Sequence, residues 1–522
     1  MKVLLVNPAY PFEEFPTPPF GLMSLAAYLL EEGFEVRIED YIITHYSKER
    51  VAHVVKEYNP DVVGATSVTM NVKTALGVLQ DYQQERPDII TVMGGPHVTF
   101  DAENILRDNS HVDFIVRGEG EVTFTELLEV IGSRSPLGHV RGISYRDDAR
   151  ILHNEERPLI EDINILPYPA RYLVPLSRYK ALTFPINMIT SRGCPYNCIF
   201  CLGGKMMGRK VRYFDVMRVV DEFEMLSSMG FKQINIVDDL FTSNKDRCIA
   251  ICDEIIRRKI SHPWNAFARV NTVSKDLLKK MKKAGCTMLC FGIESGDQKI
   301  LNTIEKKITL EEAQRAIQLC VEVGMDSLGS YILGLPGESH ETVHETLRFA
   351  ADLNPAYGFH ILAPFPGTEV RERNEEYGIK ILTDDWNQYD ANRSVSETPG
   401  ISGSEIDRIV NGFTADIDAQ ISILEEKKKQ SLPMSEKHID FIENRNNFHF
   451  TRDLILNRLV EKYPGLHNGE EINEVINDFA FFIENNIDFP LEEVMRNLTR
   501  LFAQDCLKVE RSAEESRVRW SE

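Results

Sequence analysis

The chain has 522 residues, and its 59 lysines and arginines face 80 aspartates and glutamates, which gives a formal net charge of −21. This acidic balance argues against a nucleic-acid groove or an anionic membrane surface as the main partner. No stretch approaches twenty apolar residues, so no membrane span is expected. Nine cysteines without regular pairing fit a reducing cytoplasm, where we expect the protein to act.

Residues 1–165 alternate short apolar runs with amphipathic helical stretches. The predicted strands cover residues 2–7, 35–39, 62–65, 90–93 and 114–117, and the predicted helices cover 21–32, 48–58, 72–85, 101–108 and 122–131. This alternation predicts a doubly wound, Rossmann-like parallel sheet whose ligands bind beyond the carboxyl ends of its strands. A strand or hairpin near residues 141–145 follows, and then a Pro-rich linker to about residue 185.

The loops that follow three of these strands carry glycine pairs and small polar residues. They are Ser67, Val68 and Thr69 after the third strand, Gly94 and Gly95 after the fourth, and Gly118 and Glu119 after the fifth. Glycine lets the backbone approach a bulky ligand closely, and hydroxyl groups can hold its polar edges. The pattern predicts a ligand site, although a flavodoxin-like domain for a different ligand, or a scaffold alone, fits it too.

Three cysteines within eight residues form the strongest motif of the chain. Cys194, Cys198 and Cys201 have the spacing Cys-x3-Cys-x2-Cys and lack a fourth member. A structural zinc site needs four ligands, whereas three thiolates suit a 4Fe-4S cluster that keeps one iron open for a non-protein ligand. Three unrelated cysteines in a turn are the alternative. The motif, with Phe200 before its last cysteine, resembles that of the radical S-adenosylmethionine (radical SAM) enzymes.

Residues 186–400 again alternate strands and helices. The predicted strands cover 186–190, 233–237, 264–268, 288–293 and 326–333, with a last strand ending near Ala363, and the helices cover 214–230, 245–258, 275–284, 310–323 and 341–353. About six βα units match the open, partial (β/α)6 barrel of the TIM type that radical SAM enzymes have. In such a barrel the active residues cluster at the carboxyl ends of the strands.

The resemblance implies where S-adenosylmethionine binds. The string Gly-Ile-Glu-Ser-Gly at 292–296 resembles the family segment for ribose and methionine, and the turn at 334–338 resembles one near adenine. Arg269 is a candidate for the cofactor carboxylate, because a guanidinium pairs with it in a plane, although a surface ion pair is the alternative. Asp238 and its neighbour Asp239 lie where the family contacts the amino group, or else they cap a helix. The implied contacts are Tyr196, Phe200, Asp238, Arg269, Glu294, Ser295 and Gly296.

The order of the two domains is similar to that of the cobalamin-dependent subclass of radical SAM enzymes. The resemblance implies that residues 1–165 bind cobalamin through Ser67, Val68, Thr69, Gly94, Gly95, Gly118 and Glu119. Many cobalamin domains carry Asp-x-His-x-x-Gly after the first strand, but the loop at 7–20 contains no histidine. We therefore expect cobalt to lack a histidine ligand on its lower face.

The subclass implies a C-methyltransferase. Its members use a 5′-deoxyadenosyl radical and methylcobalamin to methylate an unactivated carbon of a small molecule, a lipid or a protein side chain, and they require no catalytic side-chain base. A ferredoxin or flavodoxin is the expected electron donor. There are two alternatives. One is an anaerobic oxidative cyclase of the magnesium-protoporphyrin monomethyl ester type, and the other is a non-catalytic cobalamin and redox sensor. Methylthiotransferases are disfavoured, because the first 193 residues contain no cysteine.

Residues 401–522 are polar and helical in pattern. The predicted helices cover 404–424, 441–459, 472–487 and 491–509, which together predict a helical C-terminal domain. The short lysine run at 427–429 is expected to be a solvated helix end. Among the remaining cysteines, Cys248 and Cys252, and Cys286 and Cys290, form i, i+4 pairs that are explained most simply as small buried apolar residues.

Overall fold

The computed structural model of the chain describes residues 1–10, 16–148, 150–353, 356–467, 471–511 and 515–521. Residues 11–15 of the histidine-free loop therefore lie outside the described residues. The described chain forms two large α/β units and a C-terminal part that is mainly helical. None of the described helices combines the length and the apolar character that crossing a membrane requires.

The first unit is a seven-stranded sheet with the strand order 2-1-3-4-5-6-7. Strands β1 to β5 are parallel, and β6 and β7 add an antiparallel hairpin at the edge. The order reverses between β1 and β3, which is the switch point where doubly wound sheets bind ligands. The elements are β1 (Lys2–Asn7), α1 (Phe20–Glu31), β2 (Glu35–Asp40), α2 (Lys48–Tyr58), β3 (Val62–Thr66), α3 (Val72–Glu85), β4 (Ile90–Gly94), α4 (Pro96–Asp108), β5 (Phe114–Val116), α5 (Gly120–Ser133), β6 (Ile143–Asp147) and β7 (Arg150–His153).

Each face of this sheet is covered by helices that bury one apolar stripe. On α3, Val72, Ala75, Val78, Leu79 and Tyr82 recur at helical spacing and are all buried. They join one apolar cluster on one face of the sheet, while residues of α1 and α5 form a second cluster on the other. The unit therefore has two cores of its own, and its strand ends are free to hold a ligand.

The second unit is a six-stranded parallel sheet in which the strands follow one another in sequence order. Its two edge strands, β8 and β15, are not paired with each other, so the barrel is open. The elements are α6 (Leu176–Ala181), β8 (Ile186–Met188), β9 (Ser191–Arg192), α7 (Gly203–Met206), β10 (Arg212–Tyr213), α8 (Val216–Ser227), β11 (Ile234–Ile236), α9 (Lys245–Arg257), β12 (Trp264–Ala268), α10 (Lys275–Lys283), β13 (Cys286–Glu294), α11 (Gln298–Thr303), α12 (Leu310–Val323), β14 (Asp326–Leu333), α13 (His340–Leu353), β15 (Tyr357–Ile361), α14 (Glu369–Glu372), β16 (Lys380–Ile381) and β17 (Ser396–Glu397).

The C-terminal part consists of helices and a small three-stranded antiparallel sheet. The helix predicted at 491–509 is wrong at its end: it stops at Ala503, and a strand begins at Leu507. That strand pairs with the last strand of the chain, and hairpin pairing of this kind overrides local helix propensity. The elements are α15 (Gly403–Lys429), α16 (Glu436–Leu456), α17 (Leu459–Lys462), β18 (Leu466–His467), α18 (Ile472–Glu484), α19 (Leu491–Ala503), β19 (Leu507–Arg511) and β20 (Glu515–Trp520).

The barrel and the C-terminal helices share one continuous core. Phe450, Phe479 and Leu498 belong to the same apolar cluster as Ile234 and the rest of the barrel. The predicted domain boundaries near 165–185 and 400 stay predictions, but the sharing of this core ties the last 120 residues to the barrel. The C-terminal part thus packs against the second unit, and none of its described residues belongs to the two cores of the first unit.

Candidate functional site

The cysteine loop is closed by a short hairpin. It leaves the barrel at β9, which pairs antiparallel with β10, so that Arg192 faces Arg212 across the base of the loop. The backbone N–H of Cys194 donates to the carbonyl of Gly208 at 3.0 Å. Gly193 has φ +105°, and a Cβ atom there would lie 2.8 Å from the carbonyl oxygens of both Gly208 and Lys210. Only glycine fits this position, so Gly193 fixes the entry to the loop.

The three thiols of the loop line one small cavity of about 40 Å³. Cys194 and Cys198 are half-buried and Cys201 is exposed. Among the residues that the structure describes, no three His, Cys, Asp or Glu side chains are grouped to hold a single metal ion. In an iron–sulfur cluster each thiolate bonds its own iron atom, and three soft donors around one cavity are the donor set that a cluster requires. Burial raises the pKa of the Cys194 thiol, so ligation there would release a proton.

Two adjacent aspartates at the carboxyl end of β11 hold the start of this loop. Asp238 is buried and accepts hydrogen bonds from the backbone N–H and hydroxyl of Thr190, at 2.5 and 2.6 Å, and from the Ser191 hydroxyl at 2.6 Å. Burial raises its pKa even though these donors favour the charged form. Asp239 accepts from the backbone N–H of Gly193 at 3.1 Å. All four of these hydrogen bonds come from the protein, and contact of Asp238 with the cofactor stays a prediction.

Arg269, at the carboxyl end of β12, reaches the cysteine loop. Its guanidinium carbon lies 3.5 Å from the centroid of the Tyr196 ring, and its Nη1 donates to Sγ of Cys198 at 3.7 Å. Nη2 donates to the backbone carbonyl of Lys306. The residue is 6% exposed. Tyr196 and Arg269 are therefore brought together at the cluster cavity, as cation and ring.

Glu294 forms a buried ion pair that the sequence did not indicate. It ends β13 at a register shift and has φ +73°. Its Oε1 lies 2.6 Å from Nζ of Lys306, and both side chains are buried. The Lys306 ammonium lies 5.9 Å from the centroid of the Phe200 ring. A Cβ at Gly292 would lie 2.5 Å from Oε1 of Glu294, so a side chain there would displace the carboxylate of the pair.

The two residues after Glu294 face helix α13. The Ser295 hydroxyl lies 3.2 Å from Oγ1 of Thr346, and the backbone N–H of Gly296 donates to the same oxygen at 2.9 Å. Further along, Glu338 caps the turn at 334–338 by accepting from the N–H groups of Gly334 and Leu335. Burial raises the pKa of Glu338 to about 8, and its Oε1 is buried with no hydrogen-bond partner among the described residues. Sequence reasoning passed over Glu338, although the family-like turn contains it.

A cavity of about 350 Å³ opens between the two α/β units. Its wall combines the strand ends of the first sheet with the base of the cysteine loop, and it is lined by Gly94, Gly95, Gly118 and Glu119 and by Ser191, Arg192, Met206, Met207 and Asp239, among others. Gly95 has φ +102°, and a Cβ there would lie 2.5 Å from the carbonyl oxygen of Ser67. The glycine pair thus provides a backbone cradle that a side chain would fill, which suits a bulky cofactor.

The remaining predicted residues of the first unit stand beside this cavity. Ser67 is buried directly behind Gly95, and its N–H donates to Gly94 O at 2.9 Å. Thr69 is buried, with its hydroxyl 3.3 Å from Nδ1 of His97, whereas Val68 is 41% exposed. Four of the seven predicted residues therefore line the cavity, and for Ser67, Val68 and Thr69 a contact with the ligand stays a prediction.

A network of buried ion pairs joins the two units beneath the cavity. Arg192 contacts Glu119 at 2.9 Å and Glu121 at 2.6 Å, and Arg212 contacts the other oxygen of Glu119 at 2.9 Å. All four side chains are at most 9% exposed. Burial alone would raise the pKa of Glu119, but the two guanidinium groups hold it below its ordinary value. Sequence reasoning missed Arg192, Arg212 and Glu121, because these partners lie 71 to 93 residues apart.

Comparison with known proteins matches both units. The model of the B12 binding domain matches residues 14–128, and that of the Radical SAM superfamily matches residues 188–350. An uncharacterized methyltransferase of Pyrococcus horikoshii is 36% identical over 78% of this chain and 91% of its own length. The anaerobic magnesium-protoporphyrin IX monomethyl ester cyclase of Rubrivivax gelatinosus is 30% identical over 79% of this chain and 77% of its own.

A solved structure shows the same fold. It is that of the radical S-adenosylmethionine methyltransferase TsrM from Kitasatospora setae with cobalamin and a 4Fe-4S cluster bound. The TM-score is 0.66 at 17% sequence identity, and the match covers 96% of this chain and 99% of that one. The two α/β units and the C-terminal part of this chain therefore follow one shared fold.

Proposed function

The chain belongs to the cobalamin-dependent radical SAM enzymes, and we propose that it is a methyltransferase that acts on an unactivated carbon atom. The observation that carries the proposal is the cavity shared by both units, whose wall includes the glycine cradle on one side and the base of the cysteine loop on the other. When bound, the cluster, S-adenosylmethionine and cobalamin supply the radical and the transferred methyl group.

The three cysteines are assigned to the cluster. Cys194, Cys198 and Cys201 provide three thiolates around one cavity. In a 4Fe-4S cluster these would ligate three irons, and the fourth iron would be left for the amino and carboxylate groups of S-adenosylmethionine. Asp238 and Asp239 keep the loop in place through Thr190, Ser191 and Gly193. The chain thereby holds the three metal ligands in place, and no further side chain is assigned to the metal.

S-adenosylmethionine is assigned to the carboxyl ends of the barrel strands next to the loop. Support comes from the buried pair of Glu294 and Lys306 behind Phe200, and from the close approach of Arg269 and Tyr196 to the cysteines. The residues assigned to this side of the site are Tyr196, Phe200, Asp238, Arg269, Glu294, Ser295 and Gly296.

Cobalamin is assigned to the cavity at the carboxyl edge of the first sheet. Its proposed contacts are Gly94, Gly95, Gly118 and Glu119 in the wall, and Ser67, Val68 and Thr69 in the loop that follows β3. On the barrel side, Ile189, Met206, Met207 and Val237 make the wall apolar. Apolar walls exclude water, which protects reactive intermediates from unwanted quenching.

The acceptor is a carbon of a small molecule, a lipid or a protein side chain, and the reductant is a ferredoxin or flavodoxin in the cytoplasm. No general base is assigned, because the proposed reaction requires none. The chain contributes orientation and exclusion of water, and the cofactors carry the bond-breaking chemistry.

The first test purifies the protein without oxygen, reconstitutes it with iron and sulfide, and adds hydroxocobalamin. Wild type should retain about four irons and one cobalamin after desalting, and the triple variant Cys194→Ala/Cys198→Ala/Cys201→Ala should retain cobalamin alone. With dithionite and S-adenosylmethionine, wild type should release 5′-deoxyadenosine. Failure to bind iron would contradict radical chemistry, and a protein that retains iron but releases no 5′-deoxyadenosine would leave the sensor interpretation.

A second candidate is oxidative ring formation, which the 30% identity to the Rubrivivax gelatinosus cyclase favours. The two functions differ in the product. S-adenosylmethionine with a trideuterated methyl group is incubated with the enzyme and the small-molecule fraction of a cell extract. A product that carries the deuterated methyl group supports methyl transfer, whereas an unlabelled product that gains oxygen supports the cyclase.

A further inference from the structure

The Arg269 guanidinium is fixed between an aromatic ring and a cluster ligand. It stacks at 3.5 Å on the ring centroid of Tyr196, and its Nη1 lies 3.7 Å from Sγ of Cys198. Nη2 is bound to the backbone carbonyl of Lys306, which positions the group from the opposite side. The residue is 6% exposed, so its position is determined by these contacts and by burial.

We propose that Arg269 donates a hydrogen bond to the Cys198 thiolate in the assembled cluster and raises the reduction potential of the cluster. The inference rests on the proposed function only in that the cysteine loop holds a cluster. Hydrogen bonds to cluster sulfurs and the net charge around a cluster are two of the factors that set its potential. A cation that donates to a ligand sulfur stabilises the reduced cluster, because reduction adds negative charge at that place.

The charge of Arg269 is free to act on the cluster. Within the described part of the chain, no carboxylate forms an ion pair with Arg269, although the residue is buried. The other buried cation nearby, Lys306, differs: its ammonium lies 2.6 Å from Oε1 of Glu294, so its charge is compensated. A buried cation without a carboxylate is costly unless an anionic group accompanies it, and the thiolate-ligated cluster is that group.

The same contacts limit how Arg269 could also hold the S-adenosylmethionine carboxylate, which is the role expected from the sequence. A bidentate clamp presents two parallel N–H groups to one carboxylate. Here Nη1 faces Cys198, Nη2 faces the Lys306 carbonyl, and the Tyr196 ring covers one side. Among the described residues, buried Nε has no hydrogen-bond partner. One N–H of each terminal nitrogen is therefore already used within the chain, and a clamp on the carboxylate would have to use the remaining N–H groups.

The experiment is an EPR-monitored redox titration of the reconstituted full-length protein without S-adenosylmethionine. Arg269→Gln removes the charge and should lower the midpoint potential enough to reduce the ratio of reduced to oxidised cluster at least tenfold at a fixed potential, which is 59 mV for one electron. Arg269→Lys keeps the charge but loses the planar donor, so its shift should go in the same direction and be smaller. Arg257→Gln, which changes an exposed arginine of α9 outside the cavity that the cysteines line, is the control and should leave the potential unchanged.

Two outcomes would overturn the inference. One is an unchanged potential in a variant that retains its iron. The other is weaker S-adenosylmethionine binding to the oxidised cluster with no change of potential, which would make Arg269 the carboxylate contact after all. If Arg269→Gln retains no iron, Arg269→Lys decides between the same results. A wild type that binds no iron would instead contradict the proposed function, so the two failures are distinguishable.

Discussion

The cobalamin side and the cluster side of the cavity are built by different means. On the first sheet, backbone and small residues make the cradle, with Gly95 against the carbonyl of Ser67. On the barrel, buried charged groups hold the loop, among them Asp238, Arg192 and the pair of Glu294 and Lys306. A backbone cradle needs only the correct φ and no side chain, whereas a site held by charges depends on every partner being present. The two sides should therefore fail separately when they are mutated.

The largest expected effect comes from removing one cluster ligand. Cys198→Ala should abolish iron retention, because two thiolates cannot replace three, while the cobalamin content stays at the wild-type level. Iron and cobalamin are measured after desalting of the reconstituted protein. Cys506→Ala, in the C-terminal part, is the matched control and should keep its iron. Loss of cobalamin together with iron would mean that the two sides are not independent.

The second effect concerns the buried ion pairs that join the two units beneath the cavity. Arg192→Met leaves Glu121 buried without its cation, and removing one partner of a buried pair costs about 3–5 kcal/mol. We expect a lower thermal unfolding midpoint and weaker retention of both cofactors. In the double variant Glu121→Gln/Arg192→Met, the uncompensated carboxylate is absent, so part of the stability should return. A double variant that is less stable than the single one would contradict the role of this ion pair.

The third effect is confined to the cobalamin side. Gly95→Ala places a Cβ 2.5 Å from a backbone oxygen at φ +102°, which adds a clash to a strain of about 1–3 kcal/mol. Cobalamin affinity should fall by more than about a hundredfold, as followed by absorbance titration with hydroxocobalamin. Iron content should not change. Gly77→Ala, where a Cβ meets nothing within 4 Å, is the control for a harmless substitution.

The smallest effect concerns Asp40, a buried carboxyl group in the first unit, whose ligand cradle is otherwise made of backbone and small residues. Asp40 ends β2 and is buried, where its carboxylate accepts from Tyr179 and Asn7. Burial raises its pKa from 3.8 to about 6. The folded state therefore holds an extra proton between these values, and its stability is greatest below pH 4 and falls as the pH rises through 6.

Asp40→Asn should remove this pH dependence, so its stability relative to wild type should rise by about 2–3 kcal/mol between pH 4 and pH 7. Thermal unfolding midpoints across this range give the measurement. Asp88→Asn, which changes an exposed side chain, is the control and should follow the wild-type profile. Parallel profiles for Asp40→Asn and wild type would exclude Asp40 as their source.

Much of the fold followed from the sequence because each βα unit is a local pattern. Apolar runs separated by amphipathic helices predicted the strands of both sheets, and the helices on their faces account for two-sided burial of the strands. The C-terminal hairpin was missed for a physical reason. Leu507 and Val509 continue the apolar spacing of the preceding helix. The strand that pairs with them begins only at Glu515, so the local pattern does not reveal the pairing.

The functional site shows the same difference between features with a local sequence pattern and features that depend on distant residues. The cysteine spacing and the glycine pairs are local signals, and the sequence could predict their chemistry. Lys306 stands in the polar run Glu305-Lys306-Lys307, which is typical of a solvated turn, and nothing nearby signals that its ammonium is buried against Glu294. Arg192 gains its partners from a loop more than seventy residues away. Long-range ion pairs leave no periodic trace, so they required the structure.

The core shared by the barrel and the C-terminal helices has a consequence for synthesis on the ribosome. The first sheet has two cores of its own and is complete before the cysteine loop is translated. The barrel core instead includes Phe450, Leu498 and Trp520, and the Ala181 carbonyl is bound by Thr451 and Arg500. The barrel therefore completes its packing only after Trp520 has left the exit tunnel, and the nascent chain presents a folded cobalamin domain well before it can protect an oxygen-sensitive cluster.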